Sequence, residues 1–175
     1  MNQPTASRLV WRGVVETRAD ASALLQSPGD VALVERGTPR WFIFSCPCGC
    51  GEQLPINLDP RAGPAWRLYR GPRGVSVYPS VWRDNGCESH FIVWDGKYLV
   101  FERDRYPEEP SDREDIATET ILASFPAEGL IPFLDLADML GAVPWDVLAA
   151  CRRLVQRKLA SEGTGAERGC FGRPR

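Results

Sequence analysis

The stretch SCPCGCG, residues 45–51, constrains the fold more than any other part of the sequence. It places Cys46, Cys48 and Cys50 within five positions, in a chain of 175 residues with six cysteines. One cysteine is often just a small buried residue, but three this close together are typical of a metal site. Where thiols stay reduced, such a cluster favours metal over disulfides. A tetrahedral site then needs a further ligand from elsewhere in the chain.

The only histidine, His90, follows Cys87 by three residues and supplies such a ligand. Zinc is commonly held by thiolates and an imidazole from two loops. A zinc knuckle often has proline after its first cysteine and glycine after its second. Cys46 and Cys50 fit that pattern with one added residue, which predicts Cys46, Cys50, Cys87 and His90 as ligands and Cys48 as the spare. The alternative replaces Cys46 with Cys48, and it keeps an iron–sulfur cluster open.

A shell rich in thiolates is a poor Lewis acid, so the pattern favours structural over catalytic zinc. Whether the chain is an enzyme is left open by the sequence, with a non-enzyme favoured. A minor alternative is a thiol protease that pairs Cys87 or Cys48 with His90 and uses Asn85 to orient it.

Short apolar or alternating runs broken by Gly, Pro and Asp extend to about residue 102 and predict strands. Two of them, HFIVW and KYLVF, are joined by Asp95-Gly96 and predict a type I′ hairpin. Helical spacing predicts a short helix over 19–26 and further helices over 115–124, 134–140 and 144–160.

The predicted fold class is therefore α+β. A small, mostly antiparallel β zinc-binding domain with a rubredoxin- or Rieske-like knuckle arrangement spans 1–102, and a charged linker spans 103–114. A helix-turn-helix-like domain spans 115–163, and a flexible tail spans 164–175.

Composition limits the classes of function. The chain is 43% hydrophobic with a formal net charge of -2, which suits a folded domain with no global attraction to nucleic acid or anionic lipid. No apolar run approaches the roughly 18 residues of a membrane span, and the first residues do not resemble a secretory signal. We therefore expect a cytoplasmic protein that does not contact membranes.

Two surfaces are candidates for partners. Trp66, Tyr78 and Trp82 form a candidate protein-binding surface, because tryptophan and tyrosine are common at interface hot spots, and the segment from Tyr78 to Trp82 leads into the second cysteine loop. The more ordinary interpretation is that they fill the core.

The C-terminal stretch LDLADMLGAVPWDVLAACRRLVQRKLASEG resembles a winged helix-turn-helix. Its last helix has a basic edge formed by Arg152, Arg153, Arg157 and Lys158, which suits phosphate contacts and makes DNA a possible partner. Winged helices also bind proteins, and exposed charge is often only solvation.

The run FIFSCPCGCGEQLPINLD, followed by PAWRLY and YPSVWRDNGCESHFIVWDG, resembles an uncharacterised family of small bacterial proteins with a CPxGCG and CxSHF zinc signature. The resemblance covers about residues 31–101. It implies Cys46, Cys50, Cys87 and His90 as ligands and leaves Cys48 at a free position. It also implies genes located beside those of bacterial ubiquitin-like conjugation.

These observations favour a non-catalytic, zinc-stabilised protein-binding module, an accessory or ligase-like adaptor in a bacterial ubiquitin-like conjugation pathway. Its expected cofactor is structural Zn²⁺, and its expected partner is a ubiquitin-like modifier or a conjugating enzyme. One alternative is a DNA-binding regulator with a zinc domain and a winged helix. Another is an iron–sulfur redox protein.

Overall fold

The computed structural model describes residues 6–101, 116 and 118–174. The chain divides into two compact units, Met1–Glu108 and Glu109–Arg175. The predicted linker 103–114 lies outside the described residues, as does the start of the helix predicted over 115–124.

The first unit contains two four-stranded sheets. The first sheet has the order β1-β2-β3-β4, and the second has the order β5-β6-β7-β8. Its described strands and helices are β1 Val10–Val15, α1 Arg18–Leu24, β2 Asp30–Arg36, β3 Thr38–Ser45, β4 Gln53–Asn57, the 3₁₀ helix Pro60–Ala62, β5 Arg67–Gly71, β6 Gly74–Trp82, β7 His90–Trp94 and β8 Lys97–Val100.

All neighbouring strands pair antiparallel except β1 and β2, which are parallel. A parallel pair needs a crossover, and the segment containing α1 provides it. The predicted hairpin is confirmed: β7 pairs with β8, and Asp95 and Gly96 both have positive φ angles, 51° and 71°, as a type I′ turn requires.

One hydrophobic core is shared by the two sheets. Phe44 of β3 and Phe91 of β7 are both fully buried, and their rings meet edge to face at 5.7 Å. The strands alternate, so that their inward residues meet between the sheets while the next residues point away. The buried members of this core are Val31, Leu33, Phe42, Phe44, Cys46, Leu54, Ile56, Val77, Val81, Phe91, Val93 and Tyr98.

Over its described residues, the second unit has the order helix, strand, helix, helix, strand, 3₁₀ helix, strand. These elements are α2 Thr118–Ser124, β9 Ile131–Pro132, α3 Phe133–Leu140, α4 Pro144–Gln156, β10 Ser161–Glu162, the 3₁₀ helix Gly165–Glu167 and β11 Cys170–Gly172. The three strands form an antiparallel sheet of order β10-β11-β9. Gly141 ends α3 in the left-handed conformation, and Pro144 begins α4 at a position that tolerates proline.

The C-terminal residues differ from the flexible tail predicted over 164–175. Cys170–Gly172 forms the central strand of the sheet, and Phe171 is fully buried in the core of the second unit. Burial of this aromatic ring outweighs the conformational freedom that the surrounding Gly and Arg residues indicate. No described helix of the chain has the length and apolar character that a membrane span requires.

We expect Phe44→Ala to lower the free energy of unfolding of the first unit by about 3–5 kcal/mol, because it leaves a cavity between the two sheets. Val14, whose exposed fraction is 51%, is the control, and Val14→Ala should change that free energy by at most about 0.5 kcal/mol. Urea unfolding followed by tryptophan fluorescence measures both. Equal effects would show that the sheets do not share one core.

Candidate metal centre and serine–histidine pair

The first cysteine loop joins β3 to β4. Ser45 pairs with Gln53, and just beyond that pair the Cys46 amide donates to the carbonyl of Glu52 over 2.8 Å. The chain between them turns back on itself with Gly49 at a φ of 80°, which favours glycine. This short closed loop directs the side chains of its three cysteines together.

The second cysteine loop joins β6 to β7, and Arg83 holds it. The Arg83 amide donates to the carbonyl of Ser89 over 2.9 Å, and its guanidinium Nε donates to the carbonyl of Asn85 over 2.7 Å. The same guanidinium forms an ion pair of 3.1 Å with Glu52 of the first loop. Arg83 therefore fixes the loop that carries Cys87 and ties it to the other loop.

Four sulfur atoms meet between the two loops. The Sγ atoms of Cys46, Cys48, Cys50 and Cys87 all lie within 4.8 Å of one another. Cys46 Sγ is 3.3 Å from Cys48 Sγ and 3.7 Å from Cys87 Sγ. Sulfurs at the corners of a tetrahedron about 2.3 Å from a central ion lie about 3.8 Å apart. The four cysteines can therefore hold one metal ion, and the separations are too long for disulfides.

The surroundings shift the pKa values of the clustered cysteines in different directions. Burial raises the pKa of Cys46 and that of Cys50. Burial also acts to raise the pKa of Cys87, but hydrogen bonds, chiefly from the Ser89 hydroxyl and amide, outweigh it and lower that pKa to about 6. The Ser89 hydroxyl lies 3.3 Å from Cys87 Sγ and 3.6 Å from Cys46 Sγ. It is thus placed to donate to thiolate charge.

The structure brings together three of the four ligands predicted from the sequence, Cys46, Cys50 and Cys87. The remaining member of the sulfur cluster is Cys48, which the sequence analysis treated as the spare. His90 lies elsewhere: its Nε2 atom is 3.0 Å from Ser80 Oγ, and its ring stacks on Phe101 with centroids 3.8 Å apart.

The Ser80–His90 pair depends on an irregularity in the second sheet. Val77 pairs with Val93 and Val81 pairs with Phe91, so β6 advances four residues while β7 advances two. Ser80 lies in this bulge, which turns its hydroxyl toward His90. Bulges are over-represented beside active sites because they re-aim side chains in this way.

The environment of His90 keeps its ring able to accept a proton. Burial lowers the pKa of His90 below its usual value of 6.5, so the ring is largely neutral at pH 7. Stacking on Phe101 fixes the plane of the ring. Within the part of the chain that the structure describes, no carboxylate is hydrogen-bonded to the ring. The described residues thus supply a serine–histidine dyad.

The three residues predicted as a protein-binding surface lie beside this dyad. Trp66 is half-buried, and its indole N–H donates to the carbonyl of Ser80 over 3.2 Å. Tyr78 is half-buried, two residues before Ser80 on β6. Trp82 has an exposed fraction of 68%, and its ring centroid is 6.1 Å from that of His90.

The basic residues predicted to contact nucleic acid lie at the end of α4. Arg152 and Arg153 are half-buried, whereas Arg157 and Lys158 are exposed just beyond the helix. From Pro144 to Val155, all of which the structure describes, no residue of α4 is fully exposed. A helix that reads bases needs an exposed face at its beginning, so this burial does not favour DNA reading by α4.

No pattern in the sequence pairs Ser80 with His90. The spacing after Cys87 favours the only histidine as a metal ligand, and Tyr78 and Trp82 on either side of Ser80 favour a partner surface. Pro79 inside a strand was the one available signal, because proline within a sheet marks edges and bulges.

Comparison with known families links the first unit to a bacterial pathway. A family model described as "Bacterial ubiquitination-like system serine protease (BubE)" matches residues 16–101. The match includes both cysteine loops and both members of the Ser80–His90 pair, and it relates the chain to bacterial ubiquitination-like systems. Searches of the curated proteins and of the solved structures gave no match.

We expect Cys48→Ser to lose most of the bound metal and His90→Ala to retain it, because Cys48 belongs to the sulfur cluster and His90 does not. Elemental analysis of protein purified without added metal measures the metal content of each variant. Cys170→Ser, which changes a half-buried cysteine outside the cluster, is the control and should keep the metal. Loss of metal from His90→Ala with retention by Cys48→Ser would instead support His90 as a ligand.

Proposed function

We propose that the chain is a serine-type protease of a bacterial ubiquitination-like system, with Ser80 as nucleophile and His90 as general base. The observation that carries this proposal is the 3.0 Å separation between Ser80 Oγ and His90 Nε2. The description of the matching family supports it independently. The proposal replaces the non-catalytic adaptor expected from the sequence. A ubiquitin-like modifier or its conjugates become substrates rather than docking partners.

The chemistry follows from the two side chains. Ser80 Oγ attacks the carbonyl carbon of the scissile peptide bond while its proton moves to His90 Nε2. The protonated imidazole then gives that proton to the leaving nitrogen, the C–N bond breaks, and an acyl-serine ester remains. Water attacks the ester with His90 again acting as base, which releases the acid product and restores Ser80.

The metal in this proposal is a structural Zn²⁺ held by Cys46, Cys48, Cys50 and Cys87. Four thiolates close a tetrahedral shell and leave no position for a reacting water, which is typical of structural zinc. Its role is to hold the β3–β4 loop against the β6–β7 loop. An iron ion in the same four-sulfur shell is the alternative, and elemental analysis with a visible spectrum distinguishes the two.

The second unit is assigned in this proposal to the winged-helix class. Its order of helices and strands and its small antiparallel sheet support that assignment. Because α4 has no fully exposed residue before Gln156, the unit is proposed to contact protein rather than to read DNA. Arg152, Arg153, Arg157 and Lys158 therefore have no assigned role in nucleic-acid binding.

We expect Ser80→Ala and His90→Gln each to lower kcat/KM for hydrolysis of p-nitrophenyl acetate by at least about 100-fold, because each removes one member of the dyad. Ser22→Ala, at an exposed serine of α1, is the matched control and should hydrolyse the ester at the wild-type rate. Unchanged metal content in each variant shows that the first unit is folded. Hydrolysis by Ser80→Ala at the wild-type rate would overturn the proposal.

The pH dependence of the same reaction tests the state of His90. Only the neutral ring accepts the proton of Ser80, so activity is lost as pH falls through the pKa of His90. Burial lowers that pKa, so the acid-side midpoint of kcat/KM should lie below 6.5. His90 is the only histidine, so no second imidazole complicates the profile. A midpoint above 6.5 would contradict the desolvated environment described for the ring.

A further inference from the structure

Among the residues that the structure describes, no strand covers the edge of β6 beside Ser80. β5 pairs with β6 only as far as Arg67 opposite Tyr78, whereas β6 continues to Trp82. On its other side β6 remains paired, with Val81 opposite Phe91 and Trp82 opposite His90. Among the described residues, the last part of β6 therefore has a strand neighbour on one side alone.

The direction of the backbone groups at this edge follows from the ladder. The Arg83 amide donates to Ser89 on the β7 side. Backbone groups of successive residues in an antiparallel ladder alternate between the two sides, so the N–H and C=O of Trp82 point to the other side. The carbonyl of Ser80, two residues earlier, accepts the indole N–H of Trp66, which precedes β5 on that other side. The backbone groups of Ser80 and Trp82, two residues apart, therefore both point to the edge of β6 that faces away from β7.

An exposed tryptophan marks the same place. The Trp82 side chain is 68% exposed, and its ring lies beside that of His90, on the face of the sheet that carries the dyad. An exposed indole beside a reacting pair offers an apolar wall to a side chain of a bound molecule. The backbone groups of Trp82 and its side chain thus present one continuous surface next to Ser80.

Resting on the function proposed above, we propose that the substrate is an extended polypeptide segment that adds to the second sheet as a strand at the Trp82 edge. Its main chain pairs with the N–H and C=O of Trp82, and a residue of the segment packs on the Trp82 ring. Strands advance about 3.3 Å per residue, so Ser80 lies about two residues from the paired position. The Trp66 indole already occupies the Ser80 carbonyl at this edge, so the bond to be cut reaches the Ser80 hydroxyl from the face of the sheet that carries Trp82 and His90. Addition of a strand to a sheet edge is a common mode of peptide recognition.

This binding mode selects the class of substrate. Main-chain pairing requires N–H and C=O groups that are not already used in a helix or sheet. The substrate segment is therefore a tail or an unstructured linker, and a folded domain is cut only where such a segment leaves it. Cleavage follows the acyl-serine route, with water as the second reactant and no other co-substrate.

The experiment begins with a peptide library made by digesting a bacterial proteome, in which mass spectrometry identifies cut peptides. The best-cut peptide is then synthesised with a single N-methyl group at each amide in turn. Pairing with Trp82 predicts that N-methylation lowers kcat/KM at least about 10-fold at the one amide that pairs with Trp82 and less than about 3-fold at the amides on either side of it. An even loss across all positions, or a loss at the scissile bond alone, would overturn the inference.

Two variants at one position separate the backbone from the side chain. Trp82→Ala removes the ring, and Trp82→Pro removes the ring together with the N–H that points to the open edge. We expect Trp82→Pro to have a KM for the peptide at least about 10-fold above that of Trp82→Ala. Metal content of both variants reports folding. Equal KM values would contradict strand pairing at Trp82.

Failure of the two proposals can be told apart. A wild-type chain that hydrolyses p-nitrophenyl acetate in a Ser80-dependent way but cuts no peptide of the library would overturn the strand-addition inference and leave the dyad intact. Peptide cleavage that persists in Ser80→Ala would overturn the proposed nucleophile, and with it the strand addition as argued here.

Discussion

The meeting of four cysteine sulfurs between two loops is the interaction on which the proposed site depends. The loops belong to different sheets of the first unit, and each sheet presents its loop at the same end of the shared core. Cys46, fully buried, belongs to that core as well as to the sulfur cluster. Burial and mutual repulsion both disfavour thiolates at this position, and a bound cation would offset both effects. The core and the cluster therefore stabilise the same end of the unit.

Cys87 and His90, predicted from the sequence as ligands of one metal ion, belong to two different clusters in the structure: Cys87 to the four sulfurs and His90 to the pair with Ser80. Cys87 belongs to the sulfur cluster and His90 begins β7 three residues later, so a fixed Cys87 also fixes the start of that strand. The bulge of β6 then brings Ser80 to His90. Stacking on Phe101 supplies the orientation that a carboxylate supplies in a triad. Two paired strands carry the proposed nucleophile and its proposed base, and this favours the rigid geometry that catalysis requires.

Local signals predicted the parts of the fold that local interactions determine. The Asp95-Gly96 turn, the helices near their observed bounds and the cysteine-rich loop all follow from residue type and short spacing. The parallel pairing of β1 with β2 and the two- and three-residue strands β9, β10 and β11 are set by long-range packing, and so short a strand carries no hydrophobic period. Sequence pattern alone therefore missed them.

The sequence predicted the cysteine donors of the candidate site but not how they combine, because that also depends on long-range packing. Spacing identified five possible donors for four positions but could not choose between Cys48 and His90, because that choice depends on how the two loops meet. The Ser80–His90 pair could not be predicted from strand alternation, since the regular partner of His90 is Trp82 and Ser80 lies in the irregular part of β6 just before it. An irregularity of register leaves almost no trace in sequence, apart from a proline within a strand.

The most direct test of the central claim is to map by mass spectrometry the site at which a fluorophosphonate probe modifies the wild-type chain. Such probes phosphonylate serines activated by a neighbouring base and leave ordinary surface serines unmodified. We expect one adduct per chain, on the peptide that contains Ser80. An adduct on another serine, or no adduct on folded protein with its metal bound, would contradict the assignment of Ser80 and His90 as the reacting pair.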